Sequence, residues 1–115
     1  MEPCAPRNFR EFWPYYVGEH LDARNRYLHF LGTGAALAFI LIACVSAQPW
    51  WLAGAPLAGY ALAWIGHFTL ERNRPATFRH PIYSLLGDWK MFALMLTGRM
   101  DREVARIRAE RAAAG

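Results

Sequence analysis

From Tyr27 to Leu70 the chain carries no Asp, Glu, Lys or Arg, and the only histidines in that stretch, His29 and His67, stand near its two ends. A charge-free run of this length exceeds the roughly 20 residues that one bilayer span requires. Folded back as two antiparallel helices, it would fill two spans and return both histidines to the same face. Each histidine lies 19 residues from Gln48. Limbs of roughly 28 Å at 1.5 Å per residue match one hydrocarbon thickness. The expectation is two imidazoles at one depth, which is the start of a metal site.

At 115 residues the chain has room for a single domain, 1–115. It is 55% hydrophobic, yet its mean hydropathy is only +0.04. The average hides a segregation: apolar residues fill the central block and one later stripe, and charge gathers outside them. This distribution predicts an all-α fold, a small integral membrane helical bundle built on a central two-helix transmembrane hairpin. Arg7, Arg10, Arg24 and Arg26 precede the block, Arg72, Arg74, Arg79, Lys90, Arg99 and Arg102 follow it, and the connection at Gln48 has none. The positive-inside rule then puts both termini in the cytoplasm. These cations bracket the membrane rather than forming one stripe between stacking aromatics, so lipid headgroups are the expected partner and nucleic acid is not. Cys4 and Cys44 form no CxxC, which argues against a disulfide framework or a zinc ribbon, and Cys44 is expected to pack inside its helix. About thirty residues, many of them charged, precede the apolar block, so no cleavable signal is expected and the spans should be retained.

Residues 7 to 19 mix aromatics with charge, and Pro14 should interrupt any helix there; they predict an interfacial segment with its rings at headgroup level. Asp22 is the expected N-cap of a first long helix over about 23–47. Gln48-Pro49 should make the turn, and Trp50 and Trp51 the far interface. A second helix should run to about Asn73 before Pro75, with Pro56 kinking it or marking its start. Gly32, Ala35, Ala36 and Ala38 on one limb and Ala55, Gly59 and Ala63 on the other permit close helix contact. Ile82, Leu85, Leu86, Trp89, Ala93 and Leu96 form a third helical stripe, half in the membrane or packed along the hairpin. Residues 99 to 113 predict a charged, solvated helix.

Three groups of side chains carry the chemistry. Asn25 and His29 share a helix face at i and i+4, and so do His67 and Glu71. His20 is nine residues before His29. For both to serve one site, the chain must break near Leu21-Asp22. His80, beside Pro81, forms the third group, with Asp88 further on. A single interfacial histidine is more often a hydrogen-bonded ring than a ligand. Several together near membrane depth, where ionisable groups are costly, point to a site. Imidazoles with a carboxylate suit Fe(II), Mn(II) or Zn(II), and open positions beside them suit non-haem iron oxygenases. Two other readings fit the same residues: a haem b electron carrier with His29 and His67 as axial ligands, and a non-catalytic membrane scaffold.

The ordered motifs His20-x4-Asn25-x3-His29-x2-Gly32 and Gly66-His67-x3-Glu71-x3-Pro75-Ala76 resemble those of the membrane-bound 2-hydroxy fatty acid dioxygenase family, in its compact bacterial branch. The likeness runs over about residues 9 to 98 and implies a family-like core of 7–98 with 99–115 as a charged C-terminal helix. It implies an Fe(II)-dependent enzyme of fatty acid α-oxidation that takes a 2-hydroxy fatty acid and O2 and releases the acid one carbon shorter, in the bacterial inner membrane. By that resemblance His20, His29 and His67 match the family histidines and Glu71 its acidic position, the catalytic set. His80 falls outside the family pattern and joins the histidines as a fourth candidate metal ligand only by its place beside Pro81, with Asn25, Glu71 and Asp88 behind the ligands. Arg72 and Arg74 are candidates for steering the substrate carboxylate.

Overall fold

Asn8 opens the first helix, its Oδ1 accepting the Glu11 N–H at 2.9 Å. Helix α1 then runs Phe9–Gly18. The computed structural model describes residues 5–114, and every regular element among them is helical. Pro14 lies inside α1 and does not interrupt it, contrary to the expectation of an irregular interfacial segment. The reason is burial. A proline costs a helix about 3 kcal/mol, whereas a fully buried large apolar side chain contributes about 1.5–3 kcal/mol, and Phe12, Trp13, Tyr16 and Val17 are all buried. Of the rings expected at headgroup level, Phe12, Trp13 and Tyr16 therefore belong to the core, while Tyr15 is exposed.

Asp22 caps the second helix as the sequence indicates, its carboxylate accepting the Arg24 N–H at 2.8 Å. Helix α2 runs Ala23–Ser46 and ends with Ala47 in the left-handed region at φ 56°. Pro49 starts a 3₁₀ turn over Pro49–Ala53, and α3 follows over Gly54–Gly66, with Pro56 near its start. The chain then widens into a π turn, His67–Glu71, and leaves it through Arg72 at φ 54°. The two limbs pack antiparallel with little between them: a Cβ built on Gly32 would lie 3.1 Å from the Gly59 carbonyl oxygen.

Of the two expected spans, only α2 is long and apolar enough among the described residues, with 24 residues and a mean hydropathy of 2.2. The other limb is divided among 3₁₀, α and π turns, and its α-helical part of 13 residues reaches only about 20 Å. Prolines at 49 and 56 cut its start and the π turn reshapes its end.

Helix α4 covers Pro81–Leu96 and packs along the hairpin, with the Phe92 and Phe30 rings 4.9 Å apart between centroids. Helix α5 covers Met100–Ala114 and is not a wholly solvated tail: Met100, Val104 and Ile107 are buried. Their i, i+4, i+7 spacing forms one apolar face, which joins α1 and Met91 of α4 in a single core. Glu103 of α5 accepts the Trp13 indole N–H at 2.7 Å. Lys90 of α4 stands 4.3 Å from the same ring. The packed core thus lies at one end of a 51 × 28 × 27 Å molecule, while Leu41, Val45, Trp50, Leu57 and Ile65 of the hairpin are exposed. Cys44 is likewise exposed on α2 rather than packed; Cys4 lies outside the described residues.

Candidate metal centre

Three separate pieces of chain each deliver one histidine to the junction between core and hairpin. His20 stands in the link between α1 and α2, His29 on the second turn of α2, and His67 at the start of the π turn. The break expected near Leu21-Asp22 is there and allows His20 to turn back onto His29. All three rings are buried. The His20 Nε2 lies 3.1 Å from that of His29 and 3.0 Å from that of His67. One ligating nitrogen from each falls within 4.8 Å of the others.

The opposite edge of each ring explains why these nitrogens face one another. His20 Nδ1–H donates to the Tyr16 carbonyl at 2.6 Å. His29 Nδ1–H donates to the Asn25 carbonyl at 2.9 Å, and His67 Nδ1–H to Asn73 Oδ1 at 2.7 Å. With every Nδ1 committed as a donor, each neutral ring turns an Nε2 lone pair inward. Three such lone pairs cannot satisfy one another, and together they form a group that could hold a metal cation. Two nitrogens about 3 Å apart also suit neighbouring positions around an ion at about 2.1 Å from each. Burial pulls the His20 imidazole well below its ordinary range, with the adjacent His29 and His67 rings adding to the effect. Burial lowers His67 as well, against the opposing hydrogen bond to Asn73. Both rings therefore stay unprotonated and able to ligate at neutral pH.

A second layer holds the rings. Asn73 Nδ2 donates to the Glu19 carboxylate and, at 3.2 Å, to the Glu19 carbonyl. That contact fixes the amide so that its oxygen faces His67. Arg26, almost fully buried, donates to the His20 and Leu21 carbonyls at 2.9 Å each, and the His20 ring stacks on Tyr16 with centroids 4.1 Å apart. Glu71 does not join the ligand group. It accepts the Asp22 N–H at 2.7 Å and the Asn25 amide at 3.3 Å, tying the π turn to the start of α2. The Asn25 Oδ1, buried without a hydrogen-bond partner among the described residues, presses on Gly66. A Cβ there would sit 1.9 Å from that oxygen, so the residue before His67 has to be glycine.

His80 stands outside the cluster. Its ring meets Phe12 edge-on at 5.5 Å between centroids, at the N-terminus of α4. Asp88 accepts the Tyr16 hydroxyl and lines a cavity that also reaches His29. Burial raises its carboxyl to about 6, partly offset by that hydrogen bond. Arg72 and Arg74 are exposed just beyond the π turn. Sequence reasoning missed Asn73, Arg26 and Tyr16. Asn73 is brought to His67 by a π turn that no side-chain periodicity announces, and its own N–H bonds the His67 carbonyl at 3.0 Å.

A family model described as 2-hydroxy-palmitic acid dioxygenase Mpo1-like matches residues 6–100. The chain belongs to this family. No curated protein and no solved structure matches it. The family's name points to a dioxygenase of 2-hydroxy fatty acids, and the match encloses all three converging histidines.

Proposed function

We propose that this protein is an Fe(II)-dependent dioxygenase that converts a 2-hydroxy fatty acid to the fatty acid one carbon shorter. The reaction balances as RCH(OH)COOH + O2 → RCOOH + CO2 + H2O, with the C1–C2 bond cut and O2 reduced by four electrons. The observation that carries the reading is the convergence of three buried Nε2 lone pairs in a chain of this family. When bound, divalent iron supplies the redox chemistry that O2 requires, and three protein ligands leave positions open for substrate and O2.

The chain's own residues divide the remaining work. His20, His29 and His67 hold the ion through Nε2, and Tyr16, Asn25 and Asn73 fix the tautomer through Nδ1. Glu71 acts through position, keeping the π turn against the start of α2. Asp88 accepts the Tyr16 hydroxyl hydrogen bond on Oδ1, leaving Oδ2 to accept the substrate's 2-hydroxyl in the cavity it lines. Arg72 and Arg74 draw in the substrate carboxylate from the aqueous side. His80 occupies the N-cap position of α4, after the 3₁₀ turn Ala76–Phe78, and its side chain makes no capping bond.

Three converging nitrogens favour this reading over a haem carrier, whose two axial nitrogens face each other across a porphyrin at about 4 Å. Elemental analysis of detergent-purified protein with oxygen uptake on 2-hydroxy palmitate tests it. The expected result is stoichiometric iron and uptake, both lost in His67→Ala; turnover that persists without metal would overturn it.

A further inference from the structure

A cavity of about 320 Å³ opens beside His29 and Asp88 and runs away from the three histidines along the groove between α2, α3 and α4, with Leu85 and Trp89 of α4 in its wall. On α2 its wall is His29, Thr33, Ala36 and Ile40, spaced 4, 3 and 4 residues apart and so on one helix face. Because α3 runs antiparallel to α2, Ala55 and Pro56 line the far end opposite Ile40. His29, Thr33 and Asp88 line the end nearest the histidines, Tyr60 stands midway, and most of the remaining wall is apolar. From His29 to Ile40 the axis rises roughly 16 Å at 1.5 Å per residue, room for about a dozen extended methylenes. The small side chains Ala36 and Ala55 give the channel its width, and its volume takes one such chain and not two.

We infer that this channel holds the acyl tail of the substrate, and that Ile40 with Ala55 and Pro56 sets the chain length accepted. The inference rests on the dioxygenase reading for the identity of the headgroup. A single unbranched tail is the occupant that fits: one polar end meets His29 and Asp88, and the remainder needs only apolar contact. A two-tailed phospholipid would have to leave its second chain outside. Each methylene gained inside the channel should tighten binding about fourfold, up to the length at which Ile40 is reached.

The test is a series of 2-hydroxy acids of 8 to 20 carbons, assayed as kcat/KM on the metal-loaded protein. Ala36→Leu, placed about midway, should move the optimum down by roughly five carbons, counted from a 1.5 Å helical rise. Ile40→Ala, at a half-buried position, should move it up by one or two. An unchanged length profile in both, with metal retained, would overturn the channel and leave the enzyme reading intact. If the wild-type protein turns over no 2-hydroxy acid, the enzyme reading fails instead. The channel is then judged by a palmitic acid carrying a diazirine at its methyl end. Adducts at residues 36–40 or 55–60 support the channel, and adducts confined to other surfaces overturn it.

Discussion

Asn73 bears more of the metal site than its exposed neighbours Arg72 and Arg74 suggest, because its amide oxygen decides which nitrogen of His67 turns inward. Asn73→Ala frees the ring to flip. The expected cost is 10- to 100-fold in metal affinity, measured by competition against a chromophoric chelator, with helical content unchanged. Gly66 is a second fixed point. Gly66→Ala forces a methyl into the Asn25 oxygen and should cost about 1–3 kcal/mol by overpacking; in a denaturant titration, adding Asn25→Ala should restore a good part of it. The three histidines were legible as candidates because residue type and spacing announce them, whereas Gly66 entered only through the family-like motif. Their carboxylate partner Glu71 was legible too, yet its work is to tie backbone to backbone. The identity of a side chain does not reveal which way a π turn will aim it.

Among the elements, α4 presents Asp88 to the site, and burial raises that carboxyl to about 6 from its ordinary 3.8. The sign follows from linkage. An acid whose folded pKa is raised favours the fold most when protonated, and that advantage fades as pH climbs from about 4 through 6. At pH 7 its ionised form therefore costs about 3 kcal/mol. Asp88→Asn should stabilise the protein at pH 7 by an amount of that order and remove the corresponding slope, read as the difference between urea midpoints of the two proteins at pH 4 and 7. The same substitution should lower turnover if Asp88 accepts the 2-hydroxyl. Helix α1 shows where element-level reading fails: Pro14 argued against a helix, but the Phe9, Phe12, Trp13 and Tyr16 stripe has helical spacing and supplies the burial that outweighs it. The turn at Gln48-Pro49 and the Asp22 cap were readable because both depend on local chemistry alone.

The whole molecule is a soluble-style core, closed by α1, α4 and α5, carrying an apolar hairpin whose outer face is bare. The charged look of the last fifteen residues hid the role of α5, since three apolar side chains among arginines are enough to seat it. Ile107→Ala should cost about 2–4 kcal/mol in thermal or chemical unfolding, which a wholly solvated helix would not show. The exposed hairpin, with Trp50 66% and Val45 89% accessible, predicts that the protein stays in the membrane fraction after an alkaline carbonate wash. Replacing Leu41, Val45 and Leu57 by lysine should release it.

The three imidazoles come from a linker, a helix and a π turn. One ion would rivet them, and without it three electron-rich edges are left crowded face to face. Chelation should then lower the melting temperature by several degrees and loosen the junction first. On the dioxygenase reading proposed above, proteases would clear such a protein in a living cell whenever its metal runs short, so that its abundance, and not only its activity, would follow the supply of that metal.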